Sequence, residues 1–427
     1  MKTLKVITLG CSKNTVDTEH LLAQLPLSRF SIKPEGWNGY VDYLMVNTCG
    51  FIGDAKEESI RVILESVERK KAGLAGSILV FGCLSQRYAR ELPSEIPEVD
   101  EWFGARDLSE IIRFLGEEPS DAGTRYLTEG KPYAYLKISE GCDRRCSYCA
   151  IPHIRGAHRS VPVENLVREA GFLASKGVRE LILIAQDTTF YGLDLYGRRC
   201  LAELLLALSK VPGIERLRIH YSYPADFPMD VLEQMASNPK VCRYLDIPLQ
   251  HISDKVLDNM HRHVDGAWTR ELIGRLRERV PGVVLRTTMI VGHPGEGDGE
   301  FNELLDFVRD ARFERLGAFA YSEEEGTWGA ANLKDDVSEE EKTRRMDALM
   351  SLQASISLEY NRSRVGTVVR VLADDWVDGT LVCRSEFESP EVDGEILVRS
   401  DDRSLVGQFF DVRILGADEY DLIAEMV

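Results

Sequence analysis

Cys142, Cys146 and Cys149, in the run Glu140-Gly141-Cys142-Asp143-Arg144-Arg145-Cys146-Ser147-Tyr148-Cys149, are the residues of this chain with the clearest chemistry. Three thiolates spaced by three and then two residues can wrap one iron–sulfur cluster and supply three of its four cysteine ligands. One iron then stays open to a small molecule. Two plainer uses compete: a closed tetrahedral zinc site completed by His153, and a disulfide with one spare thiol. Zinc sites of that kind usually join two short ligand pairs, whereas this trio follows a single strand-like run at 134–139, which favours the cluster.

A second trio lies upstream. Cys11, Cys49 and Cys83 each come directly after a short apolar run, at 4–9, 43–46 and 77–81, and each run is followed by a helical pattern. That alternation reads as a doubly wound parallel sheet. Parallel strands end on one edge, where open α/β sheets bind their ligands, so the three thiols can converge there. Gly10, Gly50 and Gly82 stand beside them and leave room for a bulky group against the backbone. The plain alternative is three unrelated buried cysteines. Cys200, Cys242 and Cys383 read as buried fillers.

The elements that must position the first trio run from about 130 to 325. Strand candidates at 134–139, 180–187, 216–222, 244–250, 283–292 and 315–322 alternate with helical stretches. Six units fall short of the eight strands and roughly 250 residues of a closed barrel, so a partial (β/α)6 barrel is expected, with its chemistry on the C-terminal face. Cys142 follows the first strand, and Gln186-Asp187, His220-Tyr221, Gln250-His251 and Gly292-His293-Pro294-Gly295-Glu296 follow later ones. A charged helix begins at Ser338, with Glu341 completing a capping box. From about 362 onwards short alternating strands, with a hairpin turn at Asp378-Gly379, suit a small five-stranded all-β barrel of the oligonucleotide-binding type.

The 427 residues are 44% hydrophobic and 29% charged, a globular balance, and no apolar run approaches the roughly 20 residues of a membrane span. A start that runs straight into a strand, with nine scattered cysteines, fits a cytoplasmic protein that keeps its thiols reduced. The net charge of −18 argues against a broad grip on nucleic acid, since phosphate contacts need Lys and Arg. From 361 to 427 seven Arg face fifteen Asp and Glu, a balance of 7 − 15 = −8, which suits a basic partner. Glu388, Glu391 and Asp393, around Ser389-Pro390-Glu391-Val392-Asp393-Gly394, are the expected docking residues.

With these residues in hand, the whole chain resembles the methylthiotransferase family of radical S-adenosylmethionine enzymes. The most specific stretches are Leu9-Gly10-Cys11-Ser12-Lys13-Asn14 with Asp17, Asn47-Thr48-Cys49-Gly50-Phe51, Lys137-Ile138-Ser139-Glu140-Gly141-Cys142, Asp246-Ile247-Pro248-Leu249-Gln250-His251 and the Ser-Pro-Glu-Val-Asp-Gly run. The resemblance implies three domains: an N-terminal methylthiotransferase domain (1–120), a radical core (128–360) and a TRAM domain (361–427). It implies two [4Fe-4S] clusters, one on Cys142, Cys146 and Cys149 that cleaves S-adenosylmethionine to a radical, and an auxiliary one on Cys11, Cys49 and Cys83 that presents sulfur. By the same analogy Tyr148 lies against the adenine, Gln186 and Asp187 face the cofactor's amino group, and Gly292 lines its pocket. Ser12-Lys13-Asn14 favours the branch that modifies an aspartate of protein twelve of the small ribosomal subunit; the alternative is the branch acting on adenosine of transfer RNA. A reduced flavodoxin or ferredoxin-type electron donor is implied, while the sulfur donor is left open. Two positions depart from the family pattern: His293, where phenylalanine is frequent, and Gly297, where threonine usually follows Pro-Gly-Glu.

Overall fold

The structure is a computed structural model that describes residues 1–120, 123–128 and 130–427. Its contacts divide it into two units, Met1–Gly130 with Ser139–Arg145 and Cys149–Arg159, and Lys131–Ile138 with Cys146–Tyr148 and Ser160–Val427.

Five parallel strands form the sheet of the first unit, β1 (Lys2–Thr8), β2 (Phe30–Lys33), β3 (Val41–Thr48), β4 (Ala75–Gly82) and β5 (Glu101–Trp102), in the order β2-β1-β3-β4-β5. The three central strands are apolar on both faces because helices cover both. On one face Leu21 and Leu22 of α1 (Ser12–Ala23) pack with Leu4, Met45 and Leu79; on the other Ile63 and Val67 of α2 (Gly53–Lys71) pack with Val46, Ile78 and Val80. The sequence pattern found β1, β3 and β4 and missed the two edges. Edge strands pair on one side only, and β2 and β5 are four and two residues long, too short to carry a pattern. Among the short helices of the unit are α3 (Cys83–Arg87) and α4 (Ile151–Arg155).

The second unit holds a six-stranded parallel sheet in sequence order, β6 (Tyr133–Lys137), β7 (Glu180–Ile184), β8 (Arg216–Ile219), β9 (Val241–Asp246), β10 (Val284–Val291) and β11 (Arg315–Ala320). All six expected strands are present. A closed five-stranded barrel follows, β12 (Val368–Val377), β13 (Thr380–Arg384), β14 (Ile396–Arg399), β15 (Phe409–Ala417) and β16 (Leu422–Met426), in the order β12-β13-β14-β16-β15. Asp378 (φ 47°) and Gly379 (φ 82°) make the expected two-residue hairpin, both left-handed as a type I′ turn requires. Between the two lies α5 (Glu339–Ser363), whose Ser338 cap accepts from the Glu341 N–H at 3.3 Å. The reciprocal half of the expected capping box does not form at Glu341: its carboxylate is taken by Arg344 and Arg345. Among the described residues no helix is long and apolar enough to cross a membrane.

One face of the six-stranded sheet is polar, which parallel strands rarely allow. Alternation places Glu180, Arg216, Arg218, Tyr244 and Arg286 in one layer, and the C-terminal barrel satisfies it. Arg218 donates to Glu180 (2.8 Å) and to the carbonyls of Glu386 (2.9 Å) and Ser385 (3.2 Å). Arg384, fully buried, binds both Glu180 and Asp374. The Ser-Pro-Glu-Val-Asp-Gly run lies across this layer: Tyr135 donates to Glu391 (2.8 Å), Ser389 meets His220 Nε2 (2.7 Å), and Tyr244 donates to Asp393 (2.7 Å). Glu388 is 1% exposed and paired with Arg315 and Arg364. The expectation that Glu388 and Asp393 dock a partner is therefore corrected, because both are ion-paired inside the unit and only Glu391 reaches solvent.

Candidate cofactor sites

The sheet of the first unit brings Cys11, Cys49 and Cys83 to the ends of β1, β3 and β4, three strands that lie side by side. Cys11 is exposed, Cys49 half-buried and Cys83 buried. Burial pushes the Cys49 thiol up and that of Cys83 to about 12, and the nearby sulfurs add to both shifts. The neighbouring glycines also have a packing reason. A Cβ on Gly10 (φ +88°) would lie 2.6 Å from Cys49 Cβ, and one on Gly82 (φ +104°) 2.6 Å from the Thr48 nitrogen. Gly10 thus lies against the Cys49 side chain and Gly82 against the Thr48 backbone, so the glycines let the cysteine-bearing loops approach closely. Asn14 binds the same loops by donating to the Leu9 carbonyl (2.8 Å) and the Thr48 carbonyl (3.1 Å). Ser59 Oγ donates to the Cys49 carbonyl (2.8 Å) and accepts from its N–H (3.0 Å).

Among the described residues no His, Cys, Asp or Glu group closes on a single ion. A cluster spreads its thiolates farther apart than the donors of one ion, and three sulfurs of graded exposure beside a buried guanidinium fit that larger anionic group. The guanidinium is Arg155, at the end of α4. Cys142 and Cys149 belong to this unit; the Cys142 N–H donates to the Gly156 carbonyl at 3.1 Å.

In the second unit the polar strand ends lie along one edge of the sheet: Cys146 and Tyr148 after β6, Gln186 and Asp187 after β7, Tyr221 and Tyr223 after β8, Gln250 and His251 after β9, and Gly292 and His293 after β10. Cys146 is wrapped by Arg262, whose Nη1 lies 3.5 Å from its sulfur and 3.5 Å from the Tyr148 hydroxyl. Arg262 stacks on Tyr223 at 4.1 Å and donates to the Pro248 carbonyl. Tyr148 packs on Val256, Met260, Ile290 and Tyr321 and edge-on to His293. Asp187 is buried and caps the next turn, accepting from Thr189 N–H (2.9 Å) and Oγ1 (2.6 Å). Gln186 is half-buried beside it.

Gly292 is left-handed (φ +73°), and a Cβ there would meet Lys342 Cγ at 2.3 Å. Its N–H donates to Glu296, which also binds Arg345 (2.8 Å) and lies 3.3 Å from His251 Nε2. His251 Nδ1 accepts from the Ser253 N–H (3.0 Å), so Nε2 carries the proton toward Glu296. His293 is fully buried, and burial lowers it to about 4, so it is neutral. Gln250 is held left-handed (φ 76°) by bonds to Thr288 and Ile290, the kind of enforced backbone that gathers at functional sites. Arg155 and Arg262 were not found by sequence reasoning. Arg262 stands 116 residues from the cysteine it contacts, and nothing local marks it.

Residues 136–308 match the family described as the radical SAM superfamily, 365–427 the TRAM domain, and 3–104 an uncharacterized protein family, UPF0004. The fold is similar to that of the radical S-adenosylmethionine methyltransferase TsrM of Kitasatospora setae, with TM-score 0.57 and 14% identity over 75% of each chain. The protein is thus a radical S-adenosylmethionine enzyme. Over 426 residues it is 51% identical to the ribosomal protein uS12 methylthiotransferase RimO of Porphyromonas gingivalis, covering 99% of this chain and 98% of the relative. To that of Bacteroides fragilis it is 48% identical over 429 residues, covering 100% and 99%. The chain belongs to the RimO family of methylthiotransferases.

Proposed function

We propose that this enzyme attaches a methylthio group to the β-carbon of an aspartate in protein twelve of the small ribosomal subunit, uS12. The placement of Cys11, Cys49 and Cys83 on three adjacent strand ends carries the reading, because sulfur insertion needs a second cysteine trio beside the one that binds S-adenosylmethionine. Near-half identity to relatives named for uS12, over the full length, supports the substrate. In this reading residues 1–120, 128–360 and 361–427 divide the work, Cys142, Cys146 and Cys149 hold one [4Fe-4S] cluster, and Cys11, Cys49 and Cys83 hold the other. Tyr148, Gln186, Asp187 and Gly292 line the cofactor. When bound, the two clusters and S-adenosylmethionine supply the one-electron chemistry and the sulfur that an unactivated C–H bond demands.

The chain's own residues position and shield. Arg262 and Tyr223 fix Cys146; Asn14 joins the loops of Cys11 and Cys49; the Glu296 hub holds the Gly292 turn against Lys342. The neutral His293 packs edge-on to Tyr148 and adds no charge of its own there. The reaction takes place in the cytoplasm, with a reduced flavodoxin or ferredoxin-type protein as electron donor. Intact-mass measurement of uS12 from cells with and without the gene tests the reading. A gain of one sulfur and one methyl group that depends on the gene is expected. An unchanged uS12 mass alongside loss of a methylthio group from transfer-RNA adenosine would replace the substrate.

A further inference from the structure

Arg155 is 2% exposed at its side chain and uses each of its nitrogens. Nη1 donates to Asp17 (2.6 Å) and Glu140 (3.2 Å), Nη2 to the Asn14 amide oxygen (2.6 Å), and Nε to the sulfur of Cys83 (3.2 Å). The two carboxylates already more than offset its single positive charge. The Nε bond is not needed for that pairing, and it points at the most buried of the three sulfurs. The geometry is imposed from the backbone: Ile154 and Ala150 pack against Cys83, Arg106 Nε donates to the Ile154 carbonyl at 3.0 Å, and Gly156 (φ +81°) turns the chain away. One guanidinium therefore joins the cysteine edge of the sheet to Glu140, two residues before Cys142.

We propose that Arg155 is a positioning residue for the group held by Cys11, Cys49 and Cys83: its Nε–H holds the Cys83 sulfur in place and raises the potential at which a cluster bound there takes up an electron. This rests on the reading that those three cysteines hold a cluster. Hydrogen bonds to ligand sulfurs are among the factors that set cluster potentials, and a bond from a charged donor is about twice as strong as a neutral one. The bond strengthens as the sulfur gains negative charge on reduction, so it favours the reduced state. Asp17 and Glu140 offset the guanidinium's net charge, so the effect comes from the directed N–H. A lysine, which keeps the charge but cannot reproduce a fork bonded to four partners, should not restore it.

The test uses the full-length protein carrying Ala at 142, 146 and 149, reconstituted anaerobically, so that the remaining iron belongs to the N-terminal trio. In that background Arg155→Lys and Arg155→Met are titrated electrochemically and followed by EPR. Both should retain iron and show a lowered potential, with the reduced fraction at fixed poise falling about tenfold, about 59 mV for a one-electron couple. In the protein that keeps Arg155, isotopically labelled arginine should give a weak nitrogen coupling in the pulsed EPR spectrum of the reduced cluster. An unchanged potential in both variants, or no arginine coupling, overturns the proposal. Should the variants lose their iron, the coupling alone decides. A protein that keeps Arg155 but takes up no iron overturns instead the assignment of the three cysteines.

Discussion

Replacing Glu388 by Gln should loosen the C-terminal barrel. Glu388 accepts from Arg364 and Arg315 and from the Ser385 N–H (3.0 Å) and hydroxyl (2.6 Å), all within the buried layer. Burial alone would raise its carboxyl, but Arg364 and Arg315 outweigh that and hold it near 2 against an ordinary 4.5. At about 1.4 kcal/mol per unit, the ion pairs add about 3 kcal/mol at neutral pH. Removing one partner of a buried pair costs about 3–5 kcal/mol because the remaining charge is stranded, and two guanidiniums would be stranded here. A loss of about 3 kcal/mol is therefore expected, read as faster hydrogen exchange of the β13 and β14 amides at pH 7. The folded carboxyl is depressed, so its contribution is present above pH 4.5 and lost as pH falls toward 2. The gap between parent and variant should shrink over that window, where a protonated Glu388 resembles Gln. A loss below about 1 kcal/mol at pH 7, or a gap that stays constant down to pH 2.5, would refute the argument.

Asn14→Ala removes two donors to loop carbonyls and the acceptor for Arg155, and each buried group left unsatisfied costs about 1–3 kcal/mol. Urea denaturation should show that loss, with less iron retained by the N-terminal trio and unchanged iron at Cys142, Cys146 and Cys149. Arg262→Met should cut the iron bound by the latter trio while circular dichroism stays that of the parent, and Arg262→Lys should not restore it, since an ammonium cannot stack on Tyr223 and reach Pro248 and Cys146 together. Iron equal to the parent's in both Arg262 variants would remove that role.

Local order determined much of this protein before any packing was seen. The spacing of Cys142, Cys146 and Cys149 is a property of one short loop, and the placement of Cys11, Cys49 and Cys83 after apolar runs needed only the rule that parallel strands end together. The six core strands and the Asp378-Gly379 hairpin were legible for the same reason: periodicity and turn chemistry are written within a few residues. Tertiary structure decided what depends on distant partners. Glu388 and Asp393 look like solvent-facing acids in a strongly acidic module, yet arginines 24 and 73 residues from Glu388 draw it inside, and Tyr244, 149 residues away, does the same for Asp393. The glycines beside the cysteines looked like space for a ligand, and only the folded chain showed that the close approach of the loops needs them too. Arg155 and Arg262 became visible only when the fold set each against a cysteine far off in the chain. A charged side chain carries no local mark of whether water or a buried counter-charge satisfies it, and only the folded chain supplies that answer.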